Sequence, residues 1–191
     1  MRRRIEISLP VWLDQILDAS PVLGPTPADR MAFAVSLAGH NVAEGTGGPF
    51  GAAVVEVGSG RVVSAGVNVV VPTGDCTAHA EMVAIELAER ARGGFDLADP
   101  QQPRLELVTS VEPCAMCLGA VAWSGISRLV CGARSSEAAR IGFDEGPRPQ
   151  DWVVQLECRG VQVVRDVLDD AARRVLSTYA AQGGTIYNPS E

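Results

Sequence analysis

What the chain lacks narrows its functions first. Beyond Arg2, Arg3 and Arg4 it has no dense basic run, and its formal net charge is −7. An acidic surface repels phosphate backbones, so a nucleic-acid partner is disfavoured. No apolar run approaches the length of a membrane span, which disfavours a membrane partner as well. The stretch from Ile5 to Leu17 is interrupted by Glu6, Asp14 and Gln15, so the N-terminus does not read as a signal peptide. There is no internal repeat and no low-complexity segment. Histidine is confined to His40 and His79, and the five cysteines, Cys76, Cys114, Cys117, Cys131 and Cys158, are an odd number. Such a set does not require pairing, and a reduced cytoplasm is its simplest home.

What is present fits one globular domain. A chain of 191 residues, 47% hydrophobic, can bury a sizeable core once and is not clearly long enough to do so twice. Residues 1–191 are therefore read as a single domain, with 1–24 an N-terminal extension and 183–191 a C-terminal tail. Within the extension, Val11 to Ala19 suggests a short helix. The apolar spacing Met31, Val35, Leu37, Ala38 and Val42 predicts an amphipathic helix over Ala28–Glu44, ended by Gly45-Thr46-Gly47-Gly48-Pro49. Ala52–Val57 and Val62–Asn68, joined by Gly58-Ser59-Gly60, read as a hairpin. After a loop at Pro72–Cys76 a helix is expected over Ala78–Arg92, with Thr77 its cap. Strands are expected at Leu105–Ser110, Ser127–Gly132 and Val161–Arg165. Helices are expected at Pro113–Ser124, stopped by Gly125, and at Asp169–Gln182, and Arg134–Trp152 reads as loop. Strands alternating with helices after the hairpin argue for an α/β fold whose mixed sheet is covered on both faces.

Two short stretches carry chemistry, Thr77-Ala78-His79-Ala80-Glu81 and Pro113-Cys114-Ala115-Met116-Cys117. Alone, each has a commoner explanation: His-x-Glu is frequent on solvated helices, and Cys-x-x-Cys can be redox-active or chance. In this order they spell H-x-E followed by P-C-x-x-C, the signature of zinc-dependent nucleobase deaminases. One imidazole and two thiolates are a three-ligand set for a catalytic zinc whose fourth position is open to water. Cys114 and Cys117, three apart, share one helix face, and Pro113 fits the first helical position. A helix N-terminus and a metal both favour thiolate. Glu81 has the wrong spacing for a further helical ligand and reads as the proton carrier.

With these motifs the chain resembles the cytidine deaminase superfamily, and within it the bacterial guanine deaminases, some of which also deaminate the s-triazine ammeline. The narrower resemblance rests on Gly48-Pro49-Phe50, Asn68, the two zinc motifs, Ala122-Trp123-Ser124-Gly125, Ile141 to Pro147 and the terminal Ile186-Tyr187-Asn188. It implies a three-layer α/β/α sandwich on a mixed five-stranded sheet. It also implies Zn²⁺ held by His79, Cys114 and Cys117, with Glu81 passing a proton from water to a ring nitrogen and later helping ammonia leave. Glu145 is implied as a second catalytic carboxylate near the amino group, though taken alone it would be a solvated loop charge. Asn68 is implied to bond the ring edge and Phe50 to stack, with a local backbone bond and core packing as their bland counterparts. Asn41 and Trp123 are further pocket candidates, weighed against helix-end capping and core packing. The turn Glu44–Gly48 is slightly longer than its counterpart in the family, which bears on the pocket rim.

The resemblance further implies a homodimer, and a C-terminal region that in this group can cross to close the neighbouring site. Gly183-Gly184 offers a hinge for it; an ordinary frayed terminus is the commoner fate of such a tail. The expected substrate is a free aminated nucleobase or s-triazine, guanine by default. Cytosine or nucleoside deamination, editing of tRNA adenosine, and a non-catalytic zinc-stabilised interaction protein stand as alternatives. Glu81, which zinc binding does not require, argues against the last. His40 reads as a helix-end residue, Cys131 as a small core hydrophobe, and Cys76 and Cys158 have no assigned task.

Overall fold

A computed structural model describes residues 6–189; the Arg2–Arg4 run, the rest of residues 1–5 and the last two residues lie outside it. In chain order the elements are α1 (Val11–Asp18), α2 (Pro27–Ala43), β1 (Gly51–Glu56), β2 (Val62–Val67), α3 (Val70–Thr73) and α4 (Ala80–Arg92). There follow β3 (Leu105–Val111), α5 (Ala115–Ser124), β4 (Arg128–Ala133), α6 (Ser135–Arg140), α7 (Trp152–Glu157), β5 (Gln162–Val164) and α8 (Asp169–Ala181).

The five strands form one sheet in the order β2-β1-β3-β4-β5. β1 runs antiparallel to β2 and β3, while β3, β4 and β5 are parallel. Successive residues of a strand point to opposite faces, and here both faces are apolar. Ala52, Val54, Leu107, Leu129 and Cys131 pack with Ala84, Leu118, Val121 and Trp152, the side of α4, α5 and α7. Ala53, Val55, Val108 and Val130 pack with Met31, Ala34 and Leu37 of α2. The result is a three-layer α/β/α arrangement on a mixed five-stranded sheet. A third apolar cluster, including Val42, Val111, Phe143, Leu176 and Tyr179, joins α2 and α8 at one end of the sheet.

Local chemistry sets the helix starts. Thr26 caps α2 in a reciprocal box, accepting from the Asp29 N–H while the Asp29 carboxylate accepts from the Thr26 N–H, and Pro27 follows at the first position. Two expected starts move inward. Thr77 does not cap α4: its N–H and hydroxyl both donate to the Asp75 carboxylate, at 2.8 and 2.7 Å, which holds a turn there. His79 takes the cap position instead. Likewise α5 begins at Ala115 with Cys114 as cap in extended backbone, so Pro113 precedes the helix rather than opening it. The expected loop 72–76 begins inside α3, and the expected loop 134–152 contains α6 and leads into α7. Among the described residues no helix is long and apolar enough to cross a membrane.

Candidate active site

The parallel strands β3 and β4 end at Val111 and Ala133, and the chemistry-bearing residues gather just beyond them. Ligands in α/β sheets collect at the carboxyl ends of parallel strands because the chain there turns into loops and helix N-termini. The Glu112 N–H donates to the Ala133 carbonyl at 2.8 Å. Pro113 then carries the chain to Cys114 at the cap of α5, with Cys117 in that helix's first turn. From α4, His79 at the cap and Glu81 in the first turn face the same point.

His79 Nδ1 lies 3.5 Å from Cys114 Sγ and 3.6 Å from Cys117 Sγ. The three donor atoms all lie within 4.8 Å of one another. A tetrahedral zinc with Zn–S of about 2.3 Å and Zn–N of about 2.0–2.1 Å has an N···S edge of roughly 3.5 Å, so the donors fit that ion in kind and in spacing. Without a metal the two thiols compete for charge. Hydrogen bonds from Cys117 and then His79, against burial, pull Cys114 down to about 4, while the same contact and burial push Cys117 up. Burial pushes His79 down, but its hydrogen bond with Cys114 and the Glu81 charge outweigh that and raise it.

Glu81 is buried beside the cluster. One carboxylate oxygen accepts from the Thr109 hydroxyl at 3.1 Å and the other from the Cys117 thiol at 3.5 Å. Burial first, and then the Cys114 charge, raise its pKa. Glu145 faces the same cavity from the loop after α6. Burial, then Cys114 and Glu81, push it up to about 8. That loop is tied to the ligand turn at two points: the Ala115 N–H donates to the Glu145 carbonyl at 2.9 Å, and Arg148 donates to the Pro113 carbonyl at 3.2 Å. Arg148 also pairs with Glu112 at 2.9 Å and stacks over the Trp152 ring at 5.1 Å.

His79, Cys114, Glu81, Glu145, Asn68 and Phe50 all line one cavity of about 30 Å³, room for a water or two. Phe50 meets Phe143 edge to face, with ring centroids 5.0 Å apart. Asn68 Nδ2 donates to the Tyr187 hydroxyl at 2.7 Å. Tyr187 comes from the C-terminal tail and closes the cavity of its own chain, 5.0 Å from the Phe143 ring and 6.0 Å from the His79 ring.

Two expected pocket residues stand elsewhere. Asn41 does not face the cavity: it is completely buried, and its amide is spent on the Gly48 and Asn68 carbonyls at 2.8 and 2.9 Å. Trp123 is 87% exposed because it lies on the outer face of α5, away from the sheet. Thr109, Phe143 and Tyr187 join the site without having been singled out. Phe143 and Tyr187 lay within quoted motifs, but nothing local to Thr109 in β3 marks it, since Glu81 reaches it across 28 positions.

Comparison with known proteins agrees with this geometry. The family model for the cytidine and deoxycytidylate deaminase zinc-binding region matches residues 27–133. A guanine deaminase from Bacillus subtilis is 42% identical over 112 residues, 59% of this chain and 67% of that protein. The solved guanine deaminase of Nitrosomonas europaea superposes with a TM-score of 0.91 at 46% identity, covering 95% of this chain and 98% of that one. A structure solved in complex with 2,6-diaminopurine gives the same TM-score at 48% identity, over 96% of each chain.

Proposed function

The chain belongs to the cytidine and deoxycytidylate deaminase zinc-binding family, and on that premise we propose that it hydrolytically deaminates a free aminated purine, guanine first among candidates. The reading is carried by one observation: two carboxylates of raised pKa, Glu81 and Glu145, face one cavity beside a three-donor cluster that could hold a metal. The relatives named guanine deaminase, and the neighbour that holds a diaminopurine, support the choice of ring. Tyr187, which lies over the cavity and is hydrogen-bonded to Asn68, supports a base without its sugar.

His79, Cys114 and Cys117 would hold zinc, which when bound supplies Lewis acidity towards water and lowers its pKa. The remaining work falls to this chain's own groups. Glu81, raised in pKa and within reach of the cluster, takes a proton from the attacking water and hands it to a ring nitrogen. The hydroxyl adds to the amino-bearing carbon; its remaining proton then passes by way of Glu81 to the amino group, which leaves as ammonia as the carbon becomes a carbonyl. Glu145, which burial holds above the usual carboxylate range, faces the cavity where it could bond the amino group or its neighbouring nitrogen. Asn68, once released by Tyr187, offers one donor and one acceptor to the ring edge. Phe50 and Phe143 wall the ring, and Tyr187 excludes water.

The chain is proposed to act as one catalytic unit, in a reduced compartment such as the cytoplasm, which suits its five free thiols. It is also proposed to form a homodimer through the exposed face of α4 and α5.

The deciding experiment measures ammonia release by zinc-loaded protein from guanine, guanosine, cytosine, adenine, ammeline and a tRNA anticodon stem. Turnover of guanine with none of guanosine is expected. Activity on tRNA or on a nucleoside in place of free bases would overturn the substrate assignment. Silence on every substrate would return the chain to a non-catalytic role.

A further inference from the structure

We propose that Asn41, fixed by Thr46 and through it by Trp12 of α1, is a positioning residue that sets the two pocket walls, Asn68 and Phe50. The inference rests on the reading of this cavity as the base-binding site.

The observation behind it is a chain of hydrogen bonds whose every direction is determined. Trp12 Nε1, a donor only, lies 3.2 Å from Thr46 Oγ1. The Thr46 hydroxyl therefore accepts there, and its single proton goes to Asn41 Oδ1 at 2.7 Å rather than to the Asn41 backbone carbonyl, the more distant acceptor at 3.4 Å. That leaves both protons of Asn41 Nδ2 for two carbonyls, Gly48 at 2.8 Å and Asn68 at 2.9 Å. Asn41 is thus completely buried and fully satisfied, and none of its polar atoms is free for substrate.

Those two carbonyls belong to the cavity walls. The Gly48 N–H donates to the Asn68 carbonyl at 3.1 Å, the Phe50 N–H to the Gly48 carbonyl at 2.9 Å, and the Asn68 N–H to the Phe50 carbonyl at 3.1 Å. One amide therefore holds both sides of a closed backbone loop that carries the stacking ring and the edge-bonding side chain. The loop has no slack. A Cβ on Gly47 would collide with the Asn68 carbonyl and lie 2.8 Å from Asn41 Nδ2, and one on Gly48 would lie 2.9 Å from Asn68 Oδ1. A displaced Asn41 must shift the walls, because nothing between them can absorb the movement.

The outer end of the chain is also distinctive. Trp12, packed against His40 with tilted rings whose centres are 4.5 Å apart, precedes the 27–133 region that the family model covers. The segment ahead of that region thus supplies the donor on which the orientation of the rest depends.

Thr46→Val keeps the shape of the side chain and leaves Trp12 Nε1–H and Asn41 Oδ1 unpaired. Trp12→Phe keeps an aromatic ring beside His40 and removes the indole donor together with part of the ring system. Both are compared with wild type and with Thr46→Ser by steady-state kinetics of the zinc-loaded full chain and by melting. Thr46→Val is expected to raise KM about five- to tenfold, the weight of one hydrogen bond, with kcat held within about twofold. Thr46→Ser should restore KM, and Trp12→Phe should shift it in the same direction by less. A wild-type KM in both Thr46→Val and Trp12→Phe would overturn the proposal, as would a kcat loss with KM unchanged or a failure of Thr46→Ser to recover. Should Thr46→Val not fold, Trp12→Phe decides alone. Should wild type deaminate no base, the substrate reading fails separately. The wall is then tested by the crystal structure of Thr46→Val, with Asn68 displaced and the His79–Cys114–Cys117 cluster unmoved if the inference holds, and with Asn68 unmoved if it does not.

Discussion

A proton carrier, the role proposed for Glu81, must be held equally well with and without its proton, and Thr109 is placed to do this. Its Oγ1 lies 3.1 Å from the Glu81 carboxylate and 3.0 Å from the Val111 carbonyl. A hydroxyl has one proton and spare acceptor capacity. It donates to Glu81 when the carboxylate is charged, and turns to Val111 and accepts when Glu81 is protonated. Thr109→Val keeps the volume and removes this partner, so kcat should fall about tenfold, with the zinc content of the purified protein unchanged. Glu81→Gln, which removes the proton path itself, should cost about 10²–10⁴-fold in kcat. A wild-type kcat in Thr109→Val would show that Glu81 needs no such partner. The clustering of His79, Cys114 and Cys117 with Glu81 was legible in the sequence because each motif lies within a few positions of one helix start, so local geometry brings its members together. Glu145 and Asn68 were legible only through resemblance. Thr109 was not legible, since its role depends on β3 lying beside α4. Asn41 was misread because burial spends its amide on carbonyls, and Trp123 because α5 turns that face outward.

The C-terminal tail is held by contacts at several points along its length. Tyr179 OH donates to the Thr185 carbonyl at 2.7 Å, and Asn188 bonds the Gly142 carbonyl and the Asp144 N–H at 2.8 and 2.9 Å. Between them Tyr187 occupies the Asn68 donor that a base would need. The proposed activity would therefore require the tail to open for a base to enter and to close again to exclude water. Deleting Thr185–Glu191 should lower kcat/KM about 100-fold while zinc stays bound. Gly184→Ala is the subtler probe: its Cβ would collide with the Tyr179 ring and displace the strap without removing it. A fall of the same sign is expected, and full activity in the deletion would mark the tail as dispensable. Long elements such as α2, α4 and α8 were legible to within two residues because their apolar spacing runs for several turns. The six-residue helices α6 and α7 were not. Two turns carry too little periodicity, and α7 is held largely by the burial of Trp152 and Leu156 against the sheet.

At the scale of the molecule, the sheet divides its labour between its two ends. One end carries the site. At the other, Glu106 is clamped by Arg30 and Arg128 and Glu56 by Arg61 and Arg92, on the neighbouring strands β3 and β1. What the single chain leaves uncovered lies on the flank, where α4 and α5 turn outward. Trp123 and Phe95 are 87% and 83% exposed there and border a surface hollow of about 400 Å³ with Met82, Ile85 and Ala120. Water contact with two large rings is costly, and a second copy burying about 800 Å² per partner would remove it. The same helices present His79, Glu81, Cys114 and Cys117 from their caps and first turns, so pairing on this flank would stiffen the helices that carry the donor cluster. Light scattering should therefore give twice the chain mass for wild type and a single chain mass for Trp123→Asp, whose charge cannot be buried unpaired. The variant should also melt lower and release zinc to a chelator faster, because its ligand helices have lost their outer support. A wild-type protein that stays monomeric at micromolar concentration, or a Trp123→Asp protein that still dimerises, would mean that this flank is not where two chains meet.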